Sequence, residues 1–183
     1  MTDMYSATMS KAAVPNFTGW VFVLMFVATY VVLYLGYSAI PDAVLRDSVY
    51  YYGIVCPSKM VINWLAPSEH VSGVQNSLIS ATAKLSVVRG CDGSGIILLL
   101  IAAIIAYREN LKATVLGSLG AIALVYALNQ LRIVVLYFVN VYEPAWFMPI
   151  HVYFIPTLMI LVGALYFAVW AARQHGIKRS AQN

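Results

Sequence analysis

The sequence predicts an all-α polytopic membrane protein with about four transmembrane helices and one extracytoplasmic insert. Three observations lead there. Of the 183 residues, 62% are hydrophobic and only 10% charged, whereas a soluble domain carries about 25% charged residues. Four apolar runs have the length or hydropathy of membrane segments. Lysine and arginine also cluster in short segments that would share one side of a bilayer, as the positive-inside rule requires. The whole chain, 1–183, reads as a single integral membrane domain.

The first run, "FTGWVFVLMFVATYVVLYLGYSAI" (17–40), has an apolar core longer than that of a signal peptide. Lys11 is the only basic residue before it, and no clean cleavage site follows, so it is expected to stay as an anchor. The stretch 41–90 is expected to lie outside the membrane. Its first part, "PDAVLRDSVYYYGIVCPSKMVINWLAP", starts with Pro and Asp and carries aromatic and aliphatic residues at helical spacing, which predicts one or two interfacial helices. Its second part, "VQNSLISATAKLSVVRG", alternates and is rich in Val, Ser and Thr, which predicts a short β-hairpin ending at Gly90. The remaining spans are expected over 92–107, 113–139 and 149–172, with Pro149 in the first turn of the last.

Orientation follows from charge. With both termini cytoplasmic, the inner side holds Lys11, Arg108, Lys112, Arg173, Lys178 and Arg179. The outer side holds the long insert and the acidic "VYEPAWFMP" loop. The net charge of +4 therefore reads as loop charge that sets orientation and not as a nucleic-acid signal. Membrane lipids are expected neighbours. No metal-ligand spacing is present, and no metal or cofactor is expected.

The stretch "VVRGCDGSG" (87–95) is where chemistry concentrates. A packing cysteine belongs inside an apolar run, but Cys91 stands at the polar mouth of one. Arg132 lies inside the third run, in "ALNQLRIVVLYFV", and His151 opens the fourth. Buried arginine costs at least about 2.5–3.5 kcal/mol at mid-bilayer, so it needs a purpose. At ~1.5 Å per helical residue, Arg108 to Cys91 is ~25 Å, Lys112 to Arg132 ~30 Å and Arg173 to His151 ~33 Å. Thiol, guanidinium and imidazole thus converge on one depth from three helices.

Neighbouring residues support the cluster. Asp92 is expected to N-cap the second span, or to pair with Arg89, while Gly90, Gly93 and Gly95 allow sharp turns. A helix N-terminus favours the thiolate of Cys91. Tyr126, Asn129 and Arg132 fall at i, i+3 and i+6, a polar stripe in which Asn129 could hold the guanidinium or a substrate amide. Cys56, before Pro57, is expected to be a buried structural thiol; His70 and His175 are expected to be solvated. Tyr50, Tyr51, Tyr52, Trp64 and Trp146 have the character of interfacial anchors.

The cysteine after "VVRG", the "NQLRIV" helix and the histidine opening the last span together resemble the exosortase/archaeosortase family over about residues 45–172. The resemblance implies a membrane cysteine enzyme in which Cys91 is the nucleophile and Arg132 and His151 complete the triad. Its substrates would be membrane-anchored proteins bearing a C-terminal sorting signal, made of a short motif, a transmembrane helix and a basic tail. It also implies a prokaryotic inner membrane with the site facing outward. The chain is shorter than many relatives and is most similar to short forms paired with Ile-Pro-Thr-Leu signals. Residues 155–158 themselves read "IPTL" before an apolar run and a basic tail, a pattern that a proline in the first turns of a helix also produces. The rival class is a non-enzymatic adaptor for sorting or assembly using the same polar cluster.

Overall fold

In a computed structural model, residues 19–180 are described, with side chains described to Gln174. Lys11, His175, Lys178 and Arg179 fall outside those limits. Helix accounts for 79% of the structure, as an all-α membrane protein requires. Three helical stretches have the length and hydropathy to cross a bilayer: Gly19–Ser38, Leu111–Tyr142 and Pro144–Gln174.

Helix α1 (Gly19–Ser38) has no buried residue and packs along α4 (Ser94–Ala106). Its Phe22, Phe26, Tyr30 and Tyr34 stack in series along one face, and Val, Leu and Met residues cover the others, so the helix is apolar on all sides. After Pro41 the chain turns into α2 (Asp42–Val44), wide π-helical turns over Leu45–Val55, and α3 (Cys56–Leu65). These form one outer helix that covers the end of the bundle. Leu45, Tyr50, Ile54, Val55 and Ile62 are its buried face.

The segment expected to form a hairpin contains two strands of a three-stranded antiparallel meander: β1 (Ser72–Val74), β2 (Ser77–Ile79) and β3 (Lys84–Ser86). Leu78 pairs with Leu85, and both face the core with Val87. On the other pleat the Ser77 and Ser86 hydroxyls meet at 2.9 Å.

Two expectations about the spans need correction. The span expected over 92–107 is helical only over Ser94–Ala106, 13 residues. At ~1.5 Å per residue that is ~20 Å, against a hydrocarbon core of ~30 Å. Helix α4 tolerates this because it is surrounded by α1, α5 (Leu111–Tyr142) and α7 (Ile155–Ser180) and buries Leu100, Ala102, Ala103, Ile104 and Ala106. The fourth segment does not begin at Pro149. Helix α5 (Leu111–Tyr142), N-capped by Asn110 through Ala113 N at 2.9 Å, gives way at Glu143 to α6 (Pro144–Pro149). Wide turns over Ile150–Phe154 and α7 (Ile155–Ser180) continue it. Pro144 takes the N-terminal position that needs no donor, so the expected acidic loop is almost entirely helix.

Both wide-turn stretches lead into an X-Pro pair: Leu45–Val55 into Cys56–Pro57, and Ile150–Phe154 into Ile155–Pro156. Proline has no N–H to return and its ring crowds the carbonyl four residues earlier. Widening the preceding turns relieves that crowding without breaking the helix.

Candidate active site

Cys91 lies in the loop between β3 and α4, where Gly90 (φ 85°) and Gly93 (φ 80°) are both left-handed. Gly93 is the N-cap of α4, so Asp92 is displaced one position from the expected cap. Its Oδ1 still accepts from Ser94 N at 3.3 Å and from Ser94 Oγ at 2.8 Å. Its Oδ2 accepts from Tyr50 Oη at 3.2 Å and from Tyr37 Oη. Asp92 therefore spends its charge on tying the site loop to α1 and to the outer helix.

Arg89 does not pair with Asp92. Its Nε donates to Asp42 Oδ1 at 2.8 Å, and its terminal nitrogens donate to the Tyr37 and Ile40 carbonyls. The guanidinium also lies 5.1 Å from the centre of the Tyr37 ring. The last carbonyls of a helix need donors, and Arg89 serves one in the last turn of α1, Tyr37, and one just past its end, Ile40. The Asp42 carboxylate raises the Arg89 pKa further above its ordinary value.

Cys91 Sγ stands 3.7 Å from His151 Nε2. The imidazole is carried on the wide turns after Pro149 and stacks on Phe147, one turn earlier, with centroids 5.4 Å apart. On α5, Asn129 is fully buried and Arg132 is 7% exposed. A methyl group placed on Gly93 would lie 3.3 Å from Asn129 Cβ and Cγ, so Asn129 abuts the site loop two residues from the thiol. Arg132 follows one turn along the same face of α5 and is buried there.

Among the described residues, the buried side-chain nitrogens and oxygens with no hydrogen-bond partner are Asn129 Oδ1, Arg132 Nε and His151 Nδ1. Buried polar atoms are nearly always satisfied, and each exception costs about 1–3 kcal/mol. Here the exceptions fall on His151, which meets Cys91, on Asn129, which abuts the site loop at Gly93, and on Arg132, one turn further along α5. An acceptor, a donor and an imidazole are thus held ready for groups the folded chain does not supply.

Tyr126 is not part of this cluster. It is 43% exposed and donates to the Gly53 carbonyl at 2.8 Å, beside Gln130 Nε2 at the same distance. That carbonyl is the one Pro57 cannot serve. Gln130 also accepts from the buried Ser58 hydroxyl at 2.7 Å. Sequence reasoning missed Tyr37, Phe147 and Gln130, and it read Tyr50 as an interfacial anchor, whereas Tyr50 is buried and donates to Asp92. Only Phe147, one turn before His151, left a local signal. Cys56 and Cys91 are both free and half-buried, and no group of three His, Cys, Asp or Glu residues suited to a metal occurs among the described residues. Compared with protein-family models, curated proteins and solved structures, the chain matches none.

Proposed function

We propose that this chain is a membrane-embedded cysteine peptidase or transpeptidase of the exosortase/archaeosortase type. Its substrates in this reading are exported proteins with a C-terminal sorting signal. The observation that carries the reading is the 3.7 Å Cys91–His151 contact, taken together with the unpartnered Arg132 Nε and Asn129 Oδ1. In this reading α4 is a fourth, short span, both termini are cytoplasmic, and Cys91 faces the outer side of a prokaryotic inner membrane.

The chemistry proceeds in two halves. The Cys91 S–H gives its proton to His151 Nε2, and the thiolate adds to the carbonyl carbon of the scissile peptide. Negative charge moves to the carbonyl oxygen, where Arg132 Nε–H donates to it. The C–N bond then breaks, the proton on His151 passes to the departing amine, and a thioester remains on Cys91. An acceptor amine, hydroxyl or water next gives its proton to His151 and adds to the thioester, and Cys91 leaves as the thiol. Asn129 Oδ1 accepts from a backbone N–H of the substrate. Because the substrate is itself a membrane segment, it approaches laterally, between helices.

The test is co-expression with a tagged protein carrying an IPTL-type signal, with its size followed on a gel. Wild type is expected to shorten the substrate, and Cys91→Ala to leave it full length. Shortening by the Cys91→Ala variant would overturn the mechanism. A full-length substrate that co-purifies with both forms would favour the adaptor.

A further inference from the structure

The Cys91–His151 pair occupies one end of the bundle; the other end has a different character. A cleft of about 800 Å³ opens there between the first turns of α5 and the last described turns of α7. Lys112 lies on one wall and Arg173 on the other. Both are exposed, and neither belongs to the Arg46–Asp47 or the Arg89–Asp42 ion pair. The positive end of the 32-residue helix α5 adds to the field of these two cations.

The wall behind them is largely apolar. Trp170 is buried and packs where Gly117 leaves its side of α5 open. Tyr166 donates its hydroxyl to the Gly117 carbonyl at 2.6 Å. Leu116 and Val169 then carry the exposed apolar surface away from the charges along the two helices.

We infer that this cleft is a binding site for an anionic phospholipid, with the phosphate between Lys112 and Arg173 and the acyl chains along Leu116 and Val169. Two cations at the end of a membrane-crossing helix pair, above an apolar wall with a Trp and a Tyr, match a lipid at the headgroup level. A free phosphate would use the cations and leave the wall unused, so the observations favour the lipid. The inference needs only that α5 and α7 cross the membrane; it is independent of any chemistry at Cys91.

Native mass spectrometry of the full chain in neutral detergent tests it, with dioleoyl phosphatidylglycerol and dioleoyl phosphatidylcholine as competing probes. Wild type is expected to retain one phosphatidylglycerol with roughly tenfold preference. Lys112→Gln/Arg173→Gln is expected to lose that preference, and the control Lys84→Gln, which removes an exposed cation in β3, to keep it. Both cleft side chains are exposed, and circular dichroism of each variant checks that the fold is kept. Equal retention of the two lipids by wild type would overturn the site. So would an unchanged preference in the double variant, or a lost preference in Lys84→Gln. Displacement of phosphatidylglycerol by inorganic phosphate at millimolar concentration would assign the cations to a free anion and overturn the lipid.

Discussion

At the scale of single residues, Asp92 and Gly93 decide how the site loop is held. Asp92 accepts from Ser94 and from the hydroxyls of Tyr37 and Tyr50. Replacing it with Ala removes that acceptor, and because the Tyr37 and Tyr50 hydroxyls lie 3.1 Å apart and can bond each other, it leaves one of the two without an acceptor. Asp92→Ala is therefore expected to cost about 1–3 kcal/mol, read as a lower melting temperature in detergent. Burial and the Tyr37 hydroxyl raise the Tyr50 pKa well above that of an ordinary tyrosine, so Tyr50 stays a neutral donor in the fold. Its contribution is complete below the unfolded tyrosine pKa of about 10 and declines as pH rises above it. An alkaline melt of wild type should show that decline, and Tyr50→Phe should flatten it. Gly93 combines a φ of 80° with contact against Asn129. Gly93→Ala is expected to cost about 1–2 kcal/mol in backbone strain and, by shifting Asn129, to reduce processing at least tenfold. Paired gel and melting assays separate the two effects; unchanged processing would remove Asn129 from the substrate path.

At the scale of elements, the prolines shape the two helices that frame the site. Pro57 leaves the Gly53 carbonyl to Tyr126 and Gln130, which pins the outer helix onto α5 from outside the bundle. Tyr126→Phe removes one of two donors, so the expected loss is about 0.5–1.5 kcal/mol of stability with processing unchanged. A loss of processing at full stability would return Tyr126 to the substrate path. The location of the long apolar helices was legible in the sequence, because hydropathy alone marks them. The start of the last helix was not, although Pro144 after Glu143 is an ordinary N-terminal signal. Aromatic residues around Trp146 made a helical turn read as an interfacial loop. Arg89 illustrates a different limit: its partners are mostly carbonyls at the end of α1, and no local pattern announces a contact across some fifty residues.

At the scale of the whole molecule, depth was the legible quantity. Counting from the basic ends places Cys91, Arg132 and His151 near one level, and the structure sets the thiol 3.7 Å from the imidazole. Which face of α5 turns inward was harder to read. Asn129 and Arg132 are buried while Tyr126, on the same nominal stripe, is exposed. The stripe spans enough of the helix circumference for its edge to leave the bundle, and the bundle's curvature is not written in any one helix.

The brevity of α4 has a consequence for the protein's surroundings. A 13-residue helix inside a scaffold of longer ones holds the thiol at a depth set by the protein, while the surface of the bilayer is set by its lipids. Acyl chain length then becomes a control on how much water reaches Cys91. In short-chain phosphatidylcholine vesicles, a water-soluble maleimide should label Cys91 severalfold faster than in long-chain vesicles, with a Cys56→Ser background isolating the signal. In the proposed peptidase reading, hydrolysis and transfer would then shift in proportion as membrane thickness changes, because water competes with other acceptors only where it can arrive.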